Sequence, residues 1–292
     1  MTKTDYFGLA LAAGLMLAAG AAAPAFADAG GGCVGAGVIT RIDGDPSGVN
    51  ILRAGQKVTR PRVLEVVCAG DQVSAAGGAK VTLSIDGKGN VAVGSAPYMV
   101  AARTGSASVV GNAYRAVSDD VMPDMKRLPW DVRLKGGSGD FAFALPQMAT
   151  GTQQLSPGPR ALLLRVTGGA GPYSAVLTGP GGAMLGQAQG DGADLVFPTA
   201  DLSPGRYHVV AKDGSGVTIA ADFTVDDKAV MLPTTYDAIS DSEVRAAAAA
   251  CELARQQSAT DALEAEEVLA SAPSNGLDRG RVYDLIESYG AD

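Results

Sequence analysis

The chemistry open to this chain is limited first by its histidine content. The sequence holds one histidine, His208, directly after Tyr207 in a strand-like run. A lone histidine excludes a His-rich zinc site and the H-E-x-x-H protease motif. We therefore interpret His208 as structural, although it is also the one histidine that could serve as the base of a catalytic triad.

Motifs of hydrolytic enzymes are missing as well. Neither G-x-S-x-G nor S-x-x-K occurs, and the two acidic pairs, Asp119 with Asp120 and Asp226 with Asp227, are sequence neighbours. Adjacent side chains in a strand point to opposite faces, whereas a glycosidase needs two carboxylates that face each other across a cleft. We expect a non-enzymatic protein with no catalytic residue. The alternative is a cell-wall-directed hydrolase that uses His208 or the Asp119 pair, or a glycan-binding protein.

A calcium-like run lies near the N-terminal end. Residues 43–48, DGDPSG, imitate the opening of an EF-hand loop, but the eighth position is Asn50 and the twelfth is Ala54 in place of the bidentate glutamate. We interpret the run as a hairpin turn. The sequence therefore predicts no metal site and no cofactor.

Three cysteines allow one disulfide and one remaining thiol, in three pairings. Cys33 and Cys68 share the N-terminal β-rich segment, whereas Cys251 lies in an alanine-rich helical run. We predict a bond between Cys33 and Cys68, which would close a long loop in an oxidising compartment. The alternative is that all three are small buried side chains without a bond. The role of Cys251 stays open.

The most notable polar cluster surrounds the single tryptophan. Its members are Lys126, Arg127, Trp130, Arg133 and Lys135. Such a cluster suits docking to an acidic protein surface or an anionic envelope polymer, and the alternative is a solvated linker. We treat these residues as a possible partner-binding site.

The net charge bears on the class of ligand, and the N-terminal segment indicates the cellular compartment. The 292-residue chain carries a net charge of −8, and residues 228–292 hold five basic against twelve acidic side chains. This balance argues against a nucleic-acid function, because phosphate binding needs a basic face, and we expect the acidic groups on the solvated side of surface helices. Residues 1–27 read as a cleaved signal peptide, with an apolar run from Phe7 to Ala23 before Ala25-Phe26-Ala27. We expect a periplasmic or secreted product without a membrane span.

The sequence predicts β-strands and α-helices, and these elements would position any functional site. Runs of β-branched residues alternate with Gly, Asp and Pro turns through residues 28–103, which predicts a β domain. Residues 104–158 are interpreted as a connector with one helix. A second β segment, 159–227, contains L-S-P-G-R-Y at 202–207. That run is similar to the strand corner of immunoglobulin-like sandwiches, with Pro204 and Gly205 in the turn and the ring of Tyr207 inside.

Helical periodicity begins near Ser240. The run from Ser240 to Glu243 has the form of a capping box. Two further helices are predicted over 260–272 and 279–289, each with an apolar stripe. The expected fold is mainly β: two β domains and a short α-helical C-terminal segment over 228–292.

The first β domain resembles the FecR domain family. The residues that carry the resemblance are TRIDG at 40–44, VNILRAG at 49–55, VCAGDQV at 67–73 and AKVTLSIDG at 79–87. The resemblance covers about a quarter of the chain and implies an extracytoplasmic β domain. In the namesake family this domain relays a signal from an outer-membrane transporter to a cytoplasmic sigma factor. Only six residues precede the apolar run here, so we expect no rod through the inner membrane.

These observations predict an exported envelope protein that acts as a sensor, a scaffold or a partner-binding module. Its partner would be an envelope protein or an anionic cell-envelope polymer. The sequence does not identify that partner, the stimulus or the oligomeric state.

Overall fold

Short β-branched runs separated by glycine-containing turns form the N-terminal half of the fold. The computed structural model describes residues 33–101, 107–128, 139–151, 153–256 and 260–289. The first strands are β1 Gly35–Asp43, β2 Val49–Arg53, β3 Gln56–Val58, β4 Val66–Cys68, β5 Gln72–Ala75, β6 Lys80–Ile85, β7 Gly89–Val93 and β8 Tyr98–Met99. They form two antiparallel four-stranded sheets, in the orders β4-β1-β6-β7 and β3-β2-β5-β8. We call these strands the first β unit.

A two-residue turn joins β2 to β3. Ala54 and Gly55 have φ values of 48° and 79°, and Arg53 on one side pairs with Gln56 on the other. A turn with two positive φ angles matches the right-handed twist of a hairpin. The turn therefore fixes the register of β3, in which Lys57 lies opposite Leu52.

The two sheets of the first β unit share an aliphatic core. Ile39, Ile51, Val73, Val81 and Leu83 are completely buried in one cluster. Alternate residues of these strands point to the same face, so the β-branched spacing in the sequence places them all inside.

The described part of the segment predicted as a connector contributes to the core of the protein. It contains α1 Ala107–Ala116, a π-helical turn and α2 Met122–Met125. Tyr114 and Val121 have no exposed surface, and Met122 and Met125 are almost as buried. Helix α1 packs on β1 at Gly35, where an added Cβ would lie 2.4 Å from the Cβ of Tyr114.

A second β unit follows as two facing layers. Its strands are β9 Ala142–Phe143, β10 Gln153–Leu155, β11 Gly158–Arg160, β12 Leu163–Thr167, β13 Tyr173–Thr178, β14 Met184–Gly190, β15 Asp194–Val196, β16 Ala200–Leu202, β17 Gly205–Lys212 and β18 Thr218–Val225. One layer has the order β10-β18-β17-β13-β14, and β15-β12-β9 and the pair β11-β16 form smaller sheets. Strand β10 runs parallel to β18, so the sandwich includes residues N-terminal to the predicted start at 159.

The predicted corner of the sandwich has a defined geometry. The Tyr207 hydroxyl donates to the Ser203 carbonyl at 2.8 Å, and its ring stacks on Phe223 with centroids 5.2 Å apart. Gly205 has a φ of 148°, and a Cβ there would lie 2.5 Å from Pro180. Pro204 is exposed on the turn. The corner residue types therefore follow from backbone geometry and packing.

Three helices complete the fold: α3 Ser242–Gln256, α4 Ala262–Ser271 and α5 Arg279–Ser288. The expectation of a mainly β chain with a helical C-terminal segment is confirmed. The capping box predicted at Ser240 is wrong in detail. Asp241 caps α3, because its Oδ1 accepts the backbone N–H groups of Glu243 and Val244 at 3.0 and 3.1 Å. The Ser240 hydroxyl instead donates to Asp86.

The acidic groups of these helices are buried, which contradicts the expected solvated helix faces. Glu243, Glu266 and Glu287 keep 1%, 1% and 5% of their surface exposed. Glu243 accepts the backbone N–H groups of Asn275 and Leu277 and the side chain of Arg279. Residues 33–292 accordingly belong to one compact unit. The signal peptide predicted over 1–27 lies outside the described residues.

No described helix is both long and apolar enough to cross a bilayer.

Replacement of Gly35 by alanine tests the packing of α1 on β1. We expect Gly35→Ala to lower the free energy of unfolding by about 1–3 kcal/mol, because the new methyl overlaps the Tyr114 side chain. Gly94→Ala is the matched control, since nothing lies within 4 Å of a Cβ there, and its effect should be roughly 0.5 kcal/mol or less. Urea denaturation measures both; equal effects would show that α1 does not pack on β1 as described.

Candidate functional site

The predicted basic cluster is only partly described, and its described members are paired. Lys126 Nζ lies 3.2 Å from Glu65 Oε2, and Arg127 Nη1 lies 3.2 Å from Asp124 Oδ1. Burial raises the pKa of Glu65, and the Lys126 charge partly opposes that shift. Trp130, Arg133 and Lys135 lie outside the described residues. Lys126 thus neutralises a buried carboxylate, which makes its role partly structural.

The predicted cysteine pair is joined. Cys33 and Cys68 form a disulfide with their Cα atoms 5.4 Å apart. The bond ties the residues just before β1 to β4 beside it. Cys251 is a free, buried thiol, and burial raises its pKa to about 12. A thiol that stays protonated is a poor nucleophile, so Cys251 behaves as a core residue.

The titratable residues considered for hydrolysis do not converge. His208 Nδ1 lies 2.9 Å from Asp222 Oδ1 on the neighbouring strand β18, and hydrogen bonds from His208 and Arg206 lower the pKa of Asp222. Asp120 pairs with Arg255 at 3.5 Å. Asp226 follows β18 and accepts the backbone N–H of Asp227 at 2.6 Å. These groups occupy separate elements, and each has a local partner.

The calcium-like run forms a turn whose carboxylate is occupied. Asp45 accepts both the backbone N–H and the hydroxyl of Ser47, at 2.8 and 2.7 Å. These bonds cap a short 3₁₀ turn at Pro46–Gly48 and lower the pKa of Asp45. The described residues include no group of three or more metal-ligating side chains.

The same turn borders a cavity of about 660 Å³ on the first β unit. The cavity lies between the 3₁₀ turn and strand β3 with the residues that follow it. Its lining residues are Asp45, Pro46, Ser47, Val49, Lys57, Thr59, Arg60 and Pro61. Its volume is within the range of small-molecule and peptide-side-chain sites. Three of the lining side chains are apolar and two are cationic. We call it the β3 cavity.

The two cations of the β3 cavity outnumber its one carboxylate, Asp45. Lys57 and Arg60 are exposed, and neither forms an ion pair with another described residue. The carboxylate of the cavity, Asp45, accepts hydrogen bonds from Ser47 and forms no ion pair with either cation. Arg62 lies close by, with its buried guanidinium bonded to the carbonyls of Leu128 and Lys126. The cavity is therefore suited to an anionic group.

Arg60 adopts a backbone conformation that disfavours its own residue type. Its φ is 54°, in the left-handed region, and the following residue is Pro61, which further restricts it. Such strain costs of order 1–3 kcal/mol and concentrates at binding and catalytic sites. The conformation holds the Arg60 side chain at the rim of the cavity.

A second cavity, of about 390 Å³, lies between α4 and strands β11 and β12. Glu264 and Glu267 form part of its wall, but both bind neighbouring groups. Glu264 Oε2 accepts from Ser156 N and Arg160 Nη1 at 2.9 and 2.8 Å. Glu267 Oε1 accepts from Leu163 N at 2.6 Å, and burial raises its pKa to about 8. These carboxylates hold the helix on the sandwich.

Neither Lys57 nor Arg60 stands out in the sequence. They belong to the run QKVTRPR at 56–62, which matches no known binding motif. Only the structure shows that both residues line a cavity and that Arg60 has a positive φ. The one available signal was a basic run without acidic residues directly after a two-residue hairpin turn. The burial of the helical glutamates also has no sequence signal, because their spacing is that of a solvated face.

Comparisons with known proteins do not assign a family. No family model matches, and no curated protein matches. Among solved structures, CopC from Methylosinus trichosporium OB3b is 22% identical over 28% of this chain and 90% of its own, with a TM-score of 0.23. The complex of Dpr1 IG1 bound to DIP-eta IG1 gives 15% identity, 30% and 94% coverage and a TM-score of 0.22. Similarities of this size assign neither fold nor function.

Substitution at Arg60 tests the strain. We expect Arg60→Gly to raise the free energy of unfolding by roughly 0.5–1 kcal/mol, because glycine accepts a φ of 54° without a steric penalty. Arg60→Ala removes the same charge but keeps the strain, so it should not stabilise. Chemical denaturation distinguishes the two; equal stabilities for both variants would show that the backbone is not strained there.

Proposed function

We propose that this is an exported, non-enzymatic binding protein that recognises an acidic segment of an envelope partner at the β3 cavity. In this proposal the first β unit is a FecR-like domain, and the protein works as a sensor or scaffold outside the cytoplasm. The observation that carries the proposal is the β3 cavity, in which Lys57 and Arg60 form no ion pair with another described residue and outnumber the one carboxylate, Asp45.

The disulfide supports the exported location. Structural disulfides persist in oxidising compartments and are rare in the cytosol. The Cys33–Cys68 bond encloses strands β1 to β4, the first four of the eight strands of the first β unit. A cleaved leader over 1–27 would deliver the chain to the periplasm or the exterior, where such a bond forms.

The edge of β3 favours a protein segment as the ligand. Strand β3 is the outermost strand of its sheet, and its residues are exposed or half-buried. An outermost strand offers free backbone N–H and C=O groups, to which an extended peptide can add as a further strand. Acidic side chains of such a peptide would reach Lys57 and Arg60, and apolar side chains would contact the half-buried Pro46.

Binding of a synthetic peptide tests this function. The probe is a fluorescent ten-residue peptide that alternates Glu and Val, measured by anisotropy with the mature chain. We expect the double variant Lys57→Glu with Arg60→Glu to weaken binding at least about tenfold, because charge reversal turns attraction into repulsion. Binding to the unmodified chain should also weaken as salt is added.

The control reverses two exposed lysines elsewhere, Lys212→Glu with Lys228→Glu, and should leave the affinity within about twofold. A peptide N-methylated at alternate residues should bind weakly, because it cannot add to the edge of β3. Equal loss in both double variants would contradict the proposed site. Retention of an anionic polysaccharide but not of the peptide would contradict a protein partner, and release of soluble fragments from peptidoglycan would contradict the non-enzymatic role.

A further inference from the structure

Strand β14 forms an open edge of the larger sheet in the second β unit. It is the last strand in the order β10-β18-β17-β13-β14 and, with seven residues, the longest outermost strand in the described sheets. Its only strand partner among the described residues is β13. No other backbone hydrogen bond joins residues 184–190 to a described residue. Alternate residues of β14 therefore point their backbone N–H and C=O groups away from the sheet, where a further strand can bind them.

This edge lacks the charged side chains that usually prevent strands from pairing at an edge. The chain as a whole has 23 basic and 31 acidic residues, yet the 25-residue run from Val166 to Gly190, which contains β13 and β14, has none. The opposite edge of the same sheet is covered, because the backbone N–H of Gln154 in β10 donates to the Thr260 carbonyl at 2.8 Å. One edge of the sheet is thus closed to strand addition and the other is open.

The regular part of β14 is self-complementary. Residues 186–190 read Gly-Gln-Ala-Gln-Gly, which is the same in both directions. The pairing with β13 shifts its register at Leu185, so a bulge limits the regular strand to these five residues. When two copies pair antiparallel about Ala188, Gln187 of each lies opposite Gln189 of the other. The palindrome therefore places a like residue opposite every residue of the run.

The side chains on this edge suit pairing with an identical strand. Gln187 and Gln189 are exposed, whereas Ala188 between them is buried, so both amides lie on the outer face of the sheet. A glutamine amide both donates and accepts, so each of the two cross-strand glutamine pairs can form a hydrogen bond. At the ends of the paired run, Met184 and Leu185 keep 63% and 38% of their surface exposed. Contact with a second copy would remove part of this apolar surface from water.

We propose that β14 is a homodimer interface, in which the β14 strands of two copies pair antiparallel about a two-fold axis at Ala188 and join their five-stranded sheets. The occupant is a second copy because the edge is palindromic and uncharged. An acidic or basic partner would find no counter-charge on it, and two chains of net charge −8 can meet there without opposing like charges. The covered edge at β10 ends the assembly at two chains. The interface belongs to the second β unit, so it is independent of the function proposed for the β3 cavity.

Sedimentation equilibrium of the mature chain tests the dimer and its register. We expect the unmodified chain to dimerise with a Kd on the order of 100 μM or tighter, as for a small interface. Gln187→Lys with Gln189→Lys should weaken the dimer at least about tenfold, because like charges then lie opposite each other. Gln187→Lys with Gln189→Glu should dimerise at least as tightly as the unmodified chain. In the proposed register each introduced lysine of that variant faces an introduced glutamate of the other copy.

Gln56→Lys is the matched control, because Gln56 is an exposed glutamine on the outermost strand β3, and it should leave the Kd within about twofold. If the β14 variants do not fold, hydrogen exchange of the unmodified chain decides the matter: residues 184–190 should gain protection as the protein concentration rises. A monomer at all concentrations up to about 1 mM, equal dimerisation of the two double variants, an equal effect of Gln56→Lys, or protection at 184–190 that does not depend on concentration would overturn the proposal.

Discussion

The bond between Glu264 and Arg160 shows what holds the C-terminal helices to the β layers. Glu264 of α4 accepts from the backbone N–H of Ser156 and from the Arg160 guanidinium in one buried arrangement. Glu267, one turn later, accepts the backbone N–H of Leu163 in β12. Buried polar groups must be satisfied, so separation of the helix would remove the protein partners of the Ser156 and Leu163 amides and of Arg160. The helices are therefore integral to the sandwich.

The burial of these carboxyl groups determines which charged side chains remain at the surface. The carboxyl groups of α3, α4 and α5 are buried, so most of the acidic tail contributes little negative charge to the surface. The β3 cavity, in contrast, has two cations, Lys57 and Arg60, that form no ion pair with a described residue. Its position on a hairpin with a fixed turn and a disulfide nearby gives it a rigid support. A rigid frame with two unpaired cations is what the proposed binding of an acidic segment requires.

Much of this architecture could be predicted because it follows from local patterns. Turn residues and β-branched spacing predicted the strands, and the L-x-P-G-x-Y run predicted the corner at Tyr207. The Cys33–Cys68 pair followed from a shared β segment and is confirmed. The burial of the glutamates in α3, α4 and α5 could not be predicted, because it depends on which backbone N–H groups of the β layers need a hydrogen-bond acceptor. Asp241 displaced Ser240 as the cap because α3 begins one residue later than the capping box implies.

The most direct measurement of the central claim is a double-mutant cycle between the helix and the sandwich. Arg160→Met, Glu264→Gln and the double variant are compared with the unmodified chain by urea denaturation. If the buried pair joins α4 to the β layers, the coupling free energy will be about 1.5 kcal/mol or more, as for other buried pairs that share a network. Additive effects, with a coupling near zero, would contradict the view that buried carboxylates hold the helices in place.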